Sequence, residues 1–412
     1  MTLTVVDLFS GAGGASSGFN AHPDFAVIGA ADKQLGKPSQ TAGTECNKTY
    51  AHNIGINPVD IDLSLVTPEE LGAHLGIQSG EIDVLISCSP CTGFSRTNSQ
   101  NHLRDDPRNS LAQKTAAFID YFKPKFFFVE NARELLRGNF AYHGNNLIRH
   151  TRDVGYVVSS GVHLLTRFGL PQIRERALIV GTSLDASSTV LDLSLAWSEY
   201  MPCNTSLTVR NAIEQFPILS QGETCEIDKC HSVPSMSDRT LQRLRRIPAN
   251  GGSWIDLLNS KDGFSYLIPS MIKTLESNKL GSYPDIYGRM WWDKPAPTIK
   301  RECSSPGNGR YCHPKQDRMC SVRELGYLQG FPKDYSFEAD SLSNMYRHIG
   351  DSVPPMISYQ YAELFSRIVH QRIGSLEDLM MPDTFASRLK ITRSSDSHKD
   401  QLSIPIKQMI AA

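Results

Sequence analysis

Several features that would fix the class of this protein are missing from its sequence. No apolar run in the 412 residues approaches the roughly 20 needed to span a bilayer. The first residues carry no basic segment, which argues against a secretory signal peptide. We therefore expect a cytoplasmic protein, nucleoid-associated if it binds DNA, that makes no membrane contact. Its nine cysteines, an odd and scattered set, are expected to be free thiols.

The chain also has no large excess of positive or negative charge, because its formal net charge is -1. The distribution says more than the sum. Residues 239–323 contain fifteen Lys and Arg but only seven Asp and Glu. A local basic surface of this kind is compatible with phosphate binding. A solvated charged face explains the charge count equally well.

The chain is long enough for two domains, and its patterning changes along its length. Residues 1–185 alternate as in βαβ units and predict an α/β domain with a parallel sheet. Residues 186–325 are rich in Ser, Pro, Gly and Asn and predict a smaller, irregular domain. Residues 326–375 return to regular patterning, and residues 376–412 form a polar tail expected to pack loosely. The predicted strands cover 4–8, 26–30, 83–87, 126–129, 157–165 and 177–181, and the predicted helices cover 109–122 and 359–372.

The most informative segment is 87–95, Ser-Cys-Ser-Pro-Cys-Thr-Gly-Phe-Ser. It follows a predicted buried strand, and catalytic groups collect at the carboxyl ends of such strands. Cys91, between a proline and a turn glycine, is therefore predicted to be a nucleophile. Cys88 completes a Cys-x-x-Cys pair, but the sequence has no second close pair that would complete a zinc site. We predict no metal, and we interpret Cys88 as a small core residue.

A glycine-rich turn follows the first predicted strand, where residues 7–14 are Asp-Leu-Phe-Ser-Gly-Ala-Gly-Gly. Glycines let a ligand approach the backbone, and the helix start beyond them favours an anionic group. The turn predicts a nucleotide-like cofactor, although a tight turn without a ligand has the same sequence. Asp32 is placed to meet ribose hydroxyls, and Asp60 to meet an adenine amino group. Either acid alone is more often a surface residue.

Two further segments place charge beside predicted strands. Glu130 directly follows an apolar strand, which suggests a carboxyl of raised pKa that gives a proton to a substrate. A strand-end acid held in a salt bridge is the alternative. In the segment 172–176, Gln-Ile-Arg-Glu-Arg, alternate side chains would share one strand face and form a surface that recognises oxygen atoms. An edge-strand charge ladder is the alternative there.

Taken together and in this order, these segments resemble the motifs of the cytosine-5 DNA methyltransferases. The segment 350–355, Gly-Asp-Ser-Val-Pro-Pro, is similar to the closing motif of that family. Residues 247–254 and 297–299 look like segments of its recognition part. The resemblance spans residues 3–372, and five ordered motifs make chance agreement very small. The other matching segments are 7–14, 89–95, 130–132 and 172–176.

The resemblance implies an α/β fold, with a Rossmann-like S-adenosylmethionine-dependent methyltransferase domain and a smaller, irregular target-recognition domain. It implies S-adenosylmethionine as cofactor and double-stranded DNA as substrate. The implied catalytic residues are Cys91, Glu130, Arg174 and Arg176. The implied cofactor-binding residues are Phe9, Ser10, Gly11, Gly13, Gly14, Asp32, Asp60, Pro90, Asp351 and Ser352. The implied substrate-binding residues are Ser95, Gln172, Arg246, Gly251, Gly252 and Thr298.

Three residues depart from the family pattern. Thr92 stands where glutamine is usual, Ala132 where valine is usual, and Asp351 where asparagine is usual. Asp351 would add a negative charge near the methionine end of the implied cofactor. An insertion after Asp32 also makes this residue a less secure ribose ligand.

The leading hypothesis is a DNA cytosine-5 methyltransferase that serves as the modification arm of a bacterial restriction system. We expect a monomer, with a restriction endonuclease acting on the same site as a partner. A tRNA cytosine methyltransferase of the same fold, a catalytically silent DNA-binding relative and a thiol hydrolase are the alternatives. The joint presence of Cys91, Glu130 and Arg176 argues against the silent relative, and no local Cys-His arrangement supports the hydrolase.

Overall fold

A seven-stranded sheet forms the centre of the protein, with strand order β3-β2-β1-β4-β5-β7-β6. The computed structural model describes residues 2–35, 43–91, 93–94, 103–277 and 285–393. A separate two-stranded sheet pairs β8 with β9. The strands are β1 (Leu3–Leu8), β2 (Phe25–Asp32), β3 (Val59–Asp60), β4 (Val84–Ser87), β5 (Phe126–Ala132), β6 (Tyr156–Leu164), β7 (Glu175–Ser183), β8 (Tyr200–Pro202) and β9 (Ile391–Arg393).

Helices cover both faces of the large sheet and continue into the later part of the chain. The two helices predicted from sequence exist with shifted bounds, since one begins at Leu111 after a 3₁₀ turn and the other at Pro355. The helices are α1 (Gly14–Asn20), α2 (Cys46–Ile54), α3 (Pro68–Leu75), α4 (Leu111–Phe122), α5 (Tyr142–Asp153), α6 (Leu193–Ala196), α7 (Val209–Ile213), α8 (Asp238–Arg246), α9 (Pro269–Ser277), α10 (Val322–Leu328), α11 (Leu342–Asp351) and α12 (Pro355–Val369).

The prediction of a wholly parallel sheet is wrong on one side. Strands β3, β2, β1, β4 and β5 pair in parallel, but β7 is antiparallel to both β5 and β6. A parallel crossover needs a dozen or more residues, usually with a helix. Only ten residues, 165–174, join β6 to β7, and they contain a single 3₁₀ turn. The short connection therefore returns the chain as an antiparallel neighbour.

Alternate residues of the central strands build two hydrophobic cores, one on each face. Val84, Ile86 and Phe128 belong to the core shared with α1 and α12. Leu85 and Phe127 belong to the core shared with α3, α4 and α5. This alternation follows from the two-residue period of a strand and explains why these strands are apolar throughout.

The irregular part of the chain divides between the large core and a small one. Residues from Leu191 to Leu244 contribute to the core under α12. A separate cluster within residues 247–287 forms around the buried Trp254. Packing therefore sets 247–287 apart more clearly than the whole of 186–325, and the domain boundary at residue 186 stays a prediction.

The prediction of a loosely packed tail is wrong for residues 383–393. Phe385 and Ala386 are buried in the large core. Strand β9 pairs with β8 in an antiparallel ladder. Polar composition hid these contacts, because two apolar anchors and three paired residues are enough to fix a short segment. Residues 394–412 lie outside the described part.

The basic excess between residues 239 and 323 is not mainly a surface property. Five of its arginines are buried and serve the packing of this region, which the charge count could not show. Helix α8 is an example, since Arg243 donates from Nε to the carbonyl of Tyr266 and does not join one charged face with its neighbours. The buried arginines are Arg243, Arg289, Arg310, Arg318 and Arg323.

Among the described residues, no helix combines the length and apolar character required to cross a membrane.

Candidate active site

The carboxyl ends of β1, β4 and β5 meet at one edge of the sheet and carry the predicted chemistry. The chain order reverses between β1 and β4, and such a switch point opens a crevice for ligands. Cys91 follows β4, and Glu130 lies near the end of β5. Ala132 of β5 faces Arg176 of β7, so that Glu130 is a diagonal neighbour of Arg176 on the same sheet face. The topology therefore brings together three residues that are far apart in sequence.

Glu130 and Arg176 form a close ion pair whose facing atoms could still form hydrogen bonds with a ligand. Arg176 Nε lies 2.8 Å from Glu130 Oε1, and the two side chains are 13% and 8% exposed. Both atoms are buried, yet their alignment gives neither of them a hydrogen-bond partner. A buried polar atom left unpaired is costly. A ligand with a donor and an acceptor at neighbouring positions would satisfy both atoms.

The half-buried thiol of Cys91 is within electrostatic range of this pair. Burial raises the pKa of Cys91, and Arg176 opposes that rise by favouring the thiolate. The resting thiol is therefore protonated at neutral pH, and Arg176 is the group best placed to stabilise the thiolate when it forms. Burial raises the pKa of the Cys88 thiol strongly, and the charges of Glu130 and Asp7 add to the rise. These environments favour Cys91 over Cys88 as the nucleophile.

The segment 172–176 is not one face of a strand, because β7 begins only at Glu175. Gln172 is fully buried, accepts a hydrogen bond from the amide of Ile299 (3.0 Å) and donates to Gln329 Oε1 (2.7 Å). The hydroxyl of Thr298 donates to the carbonyl of Ile173. Gln172 and Thr298 thus join two chain segments, and burial and bonding leave Gln172 no free group for DNA.

Arg174 is buried between three segments of the chain. It donates to the carbonyls of Ile299 (3.1 Å) and Ser352 (3.3 Å). Burial lowers the pKa of Arg174 to about 9, and Arg176 adds to that effect. Its Nε has no hydrogen-bond partner among the described residues. Arg174 is better described as a support for the site than as a group facing the substrate.

The glycine-rich turn has the backbone form that its sequence predicts. Gly11 and Gly13 have positive φ angles of 52° and 84°, and Phe9 shares this conformation at 58°. A side chain on Gly14 would lie 2.3 Å from the carbonyl oxygen of Val353, so that only glycine fits. A Cβ built on Gly11 meets no atom within 4 Å, which leaves open space above the turn. The buried hydroxyl of Ser10 has no hydrogen-bond partner.

Asp32 braces this turn from the neighbouring strand. Its Oδ2 accepts from the amide of Gly11 (2.9 Å), and its Oδ1 accepts from the amide of Gln34 (2.6 Å). Gln34 also donates to Asp60 Oδ2 (3.0 Å). Burial raises the pKa of Asp32, and these backbone donors oppose the rise. Gln34 thus bridges Asp32 and Asp60, and the contacts of these acids with ribose and adenine stay a prediction.

The model of the C-5 cytosine-specific DNA methylase family matches residues 3–367 of this chain. The chain belongs to that family. This confirms the resemblance inferred from the motifs and the fold class. The protein is therefore a DNA cytosine-5 methyltransferase whose family takes its methyl group from S-adenosylmethionine.

Named relatives agree with this assignment over most of the chain. The chain is 30% identical to the type II methylase M.HgiDII of Herpetosiphon aurantiacus, over 90% of this chain and 98% of that one. It is 29% identical to the type II methyltransferase M1.HphI of Haemophilus parahaemolyticus, over 88% and 86% of the two chains. A solved structure from an Escherichia coli prophage, assigned as a DNA modification methyltransferase, superposes with TM-score 0.61 at 21% identity, covering 90% of this chain and all of the other.

The residues around the glycine turn of the methyltransferase fit the chemistry of the family's cofactor. Ser10 and Asp7 each present a buried side-chain oxygen without a partner, and the space above Gly11 is open. Donors and acceptors without partners beside open backbone are the chemistry that a polar ligand needs. Phe9 belongs to the turn and Asp32 accepts from its Gly11 amide, while cofactor contacts of Pro90 and Asp60 stay a prediction. These residues could hold S-adenosylmethionine.

The family's usual asparagine is Asp351 here, and its charge has a local partner. Arg301 Nε lies 3.4 Å from Asp351 Oδ2. Burial raises the pKa of Asp351 to about 6, and Arg301 opposes the rise. The next residue, Ser352, donates from its hydroxyl to the carbonyl of His348 and is otherwise buried. Arg301 therefore offsets part of the extra charge that the sequence introduces.

The predicted substrate residues of the recognition region lie in a braced loop and on an exposed helix end. Gly251 has a φ angle of +100°, and an added Cβ would lie 1.9 Å from Trp291 Nε1. Arg310 donates to the carbonyls of Gly251 (2.7 Å) and Gly252 (3.2 Å). The two glycines therefore allow a tight loop that Trp291 and Arg310 hold in place.

Arg246 is exposed at the end of α8. It stacks over the ring of Tyr266 at 3.9 Å and lies 3.3 Å from Asp262. Its contact with DNA stays a prediction. Thr92 and Ser95 lie outside the described residues.

Sequence reasoning missed two supporting residues. Asn131 donates to the carbonyl of Ser89 (2.9 Å), which fixes the approach to Cys91. Tyr335 donates to the carbonyl of Ala12 and closes the glycine turn from the far end of the chain. The Glu-Asn pair at 130–131 was a usable signal for Asn131. No local pattern points to Tyr335.

Within the described ranges, no group of three or more His, Cys, Asp or Glu side chains is arranged to hold a metal ion.

Proposed function

We propose that Cys91 is the nucleophile that attacks carbon 6 of a cytosine flipped out of duplex DNA, while Glu130 and Arg176 hold the ring. The observation that carries this proposal is the ion pair of two buried atoms, Glu130 Oε1 and Arg176 Nε, which form no aligned hydrogen bond with any described residue and lie beside a half-buried thiol. Once Glu130 has given a proton to ring nitrogen 3, a cytosine offers a donor at that nitrogen and an acceptor at the neighbouring carbonyl oxygen. These would take the two free bonding positions.

The chemistry explains why these residue types are needed. Carbon 5 of cytosine is a poor nucleophile until a thiolate adds at carbon 6, which breaks the aromaticity and makes carbon 5 enamine-like. A proton or hydrogen bond from Glu130 to ring nitrogen 3 stabilises that adduct, and Arg176 holds the ring carbonyl oxygen. S-adenosylmethionine supplies the methyl group to carbon 5. Loss of the carbon 5 proton to a base then reforms the double bond and expels the Cys91 thiolate.

The substrate of this proposal is duplex DNA of one specific sequence. The target carbon is out of reach inside a base pair, so the base must rotate into the pocket. The region 186–325 would contact phosphates and base edges, with Arg246, Gly251 and Gly252 on the DNA side. The two type II relatives support a role as the modification arm of a restriction system. A monomer with a partner endonuclease completes the proposal.

One experiment tests the substrate. The protein is incubated with labelled S-adenosylmethionine and a mixture of duplex DNA and tRNA, and 5-methylcytosine is then mapped by sequencing. We expect label at one sequence context in DNA. Label in tRNA alone would refute a DNA substrate and favour the tRNA alternative.

A second experiment tests the nucleophile. Cys91→Ala should abolish transfer while duplex binding survives, because only the covalent step is lost. Duplex containing 5-fluorocytosine should trap an adduct on Cys91, since fluorine blocks the final elimination. Cys88→Ala is the matched control and should still form the adduct. An adduct mapped to Cys88 would contradict the assignment.

A further inference from the structure

Three pieces of the chain meet behind the nucleophile. They are the residues directly after it, Gly93 and Phe94, the segment 105–110 farther along, and the first turn of α5 at Tyr142 and His143. Segment 105–110 therefore returns to the residues that directly follow Cys91. The contacts between these pieces fix the position of both described ends of the segment that begins at Cys91.

Gly93 shows how closely the returning segment approaches. A Cβ built on Gly93 would lie 2.3 Å from Asn109 Oδ1 and 2.8 Å from the Cβ of Asp106. Asn109 is fully buried at this contact. Only glycine allows the approach, so the glycine of the Cys-Thr-Gly-Phe segment has a packing role that the motif alone does not reveal.

His143 connects the two ends. Its ring meets the ring of Phe94 edge to face, with the centroids 5.9 Å apart. Its Nε2 lies 2.9 Å from Asp105 Oδ2, and its Nδ1 lies 2.9 Å from Gln113 Nε2. An amide NH₂ can only donate, so Nδ1 accepts and Nε2 carries the proton donated to Asp105. One buried imidazole thus contacts the segment just after Cys91 and the segment that returns to it.

Asp105 has two further partners that make this junction rigid. Its Oδ1 accepts from Asn109 Nδ2 (2.8 Å), and its Oδ2 also accepts from the hydroxyl of Tyr142. Tyr142 stacks on His143 at 4.1 Å. These hydrogen bonds outweigh the burial of Asp105 and lower the pKa of its carboxyl. The junction is a connected network in which the carboxylate of Asp105 and both ring nitrogens of His143 have partners, and such a network makes a site rigid.

The returning segment also reaches the electrostatic surroundings of Cys91. The pKa of Arg108 is raised mainly by its hydrogen bond to Asp106, and Cys91 makes a smaller contribution of the same sign. Arg108 is fixed by Asp106, with Nε and one terminal nitrogen 2.8 and 2.7 Å from the two carboxylate oxygens. A shift of segment 105–110 would therefore alter both the position and the charge environment of the thiol.

We propose that His143 is a positioning residue for the nucleophile, acting through Phe94 and Asp105. The inference rests on the proposed role of Cys91 and adds a residue outside the family motifs quoted above. His143 does not touch the substrate. It holds the two ends of the segment after Cys91 in the one register that aims the thiol at carbon 6, and misplacement of a reacting group by about 1 Å can cost on the order of a hundredfold in rate.

The test compares three variants by the rate of adduct formation on duplex containing 5-fluorocytosine. His143→Phe keeps the ring contacts but removes both hydrogen bonds, and we expect the rate to fall about tenfold or more. His143→Gln keeps one donor and one acceptor and should recover most of the rate. His150→Phe is the matched control, because His150 lies on the same helix and pairs with Asp120 at 2.7 Å, but it is exposed and outside the junction.

Two further measurements separate positioning from general damage. The dissociation constant for S-adenosylmethionine and the melting temperature should match those of the His150→Phe variant. A wild-type rate for His143→Phe would overturn the inference. So would parallel losses of rate, cofactor affinity and melting temperature, or a failure of His143→Gln to recover. Absence of any Cys91 adduct in the wild-type protein would instead overturn the proposed function, and the inference with it.

Discussion

Arginines at the sheet edge and arginines in the proposed recognition region, residues 186–325, are both largely buried, but they are bonded in different ways. In Arg318 every side-chain nitrogen donates, to Gln316, Met319 and Glu324. Arg289 likewise uses all of its nitrogens, mostly on backbone carbonyls. At the sheet edge, the Nε atoms of Arg174 and Arg176 have no hydrogen-bond partner. Arg318 and Arg289 therefore stabilise the fold, whereas Arg174 and Arg176 each keep a nitrogen that could bond to a ligand.

Carboxyl groups show the same contrast. Burial alone would raise the pKa of Glu324, but hydrogen bonds from Arg318 bring it down to about 2. Burial raises the pKa of Asp7, beneath the glycine turn, to about 7, although Ser16 donates to it. A satisfied charge in the recognition region therefore differs from an under-satisfied one at the site. Both are buried carboxyl groups, so their hydrogen-bond partners are what distinguishes the structural one from the one at the site.

The largest effect is expected from Arg318→Leu. Removal of this side chain leaves the buried carboxylate of Glu324 without its partner, which should lower the free energy of unfolding by about 3–5 kcal/mol. Urea denaturation measures the change. Arg245→Leu is the control, because this arginine is 60% exposed and should change stability by less than about 0.5 kcal/mol. If Arg318→Leu kept its stability but lost methyl transfer, the contrast between structural arginines and arginines of the site would be contradicted.

Arg176→Gln should have the opposite profile. The loss of a donor aimed at the substrate should reduce kcat by about 10²–10³-fold. Stability should fall far less than in Arg318→Leu, since the side chains of Arg176 and Glu130 are 13% and 8% exposed and those of Arg318 and Glu324 only 0% and 1%. Single-turnover methylation and thermal melting give the two readouts. Arg133→Gln removes a nearby arginine that pairs with Glu175 at 2.7 Å, and this control should keep its kcat.

The two carboxyls should give stability profiles of opposite sign. The folded-state pKa of Asp7, about 7, lies above its ordinary value of 3.8, so its contribution is full below about pH 4 and is lost as the pH rises through 7. The folded-state pKa of Glu324, about 2, lies below its ordinary 4.5, so its contribution is present above pH 4.5 and is lost as the pH falls toward 2. Melting temperatures of Asp7→Asn and Glu324→Gln across pH measure this. Equal profiles for the two variants would contradict the contrast.

The smallest effect is expected from Asp351→Asn, which restores the residue usual in the family. Asp351 and Arg301 are partly exposed, and such pairs are worth roughly 0.2–1 kcal/mol. Affinity for S-adenosylmethionine should therefore change by less than about fivefold, as measured by equilibrium binding. A much larger gain would show that Arg301 does not balance the charge. Arg301→Gln provides the reciprocal test.

The sequence predicts the parts of this molecule that depend on local pattern. The strands before Cys91 and Glu130 are apolar runs, and the turn at Gly11 and Gly13 needs glycine backbone, so neighbouring residues alone indicate them. The meeting of Cys91, Glu130 and Arg176 follows from the rule that strand ends share a sheet edge. These predictions needed no knowledge of distant contacts.

Partner choice was out of reach from sequence because it depends on residues far away in the chain. Arg174 and Arg176 look equivalent as letters, yet β7 begins between them, so that one arginine is enclosed and the other faces the crevice. Gln172 was predicted to be a recognition residue, but its side-chain amide is hydrogen-bonded to Ile299 and Gln329. The antiparallel β7 and the buried Phe385 likewise depend on long-range packing.

The glycine turn at the start of the chain has a consequence for protein synthesis. Its backbone is completed by Tyr335 and Val353, and α1 packs on α12, more than 300 residues later in the sequence. On the ribosome, the residues of the glycine turn are synthesised long before the later residues that pack around them. Because the last contacts arrive with α12, we expect the cofactor site to form only after α12 has left the ribosome.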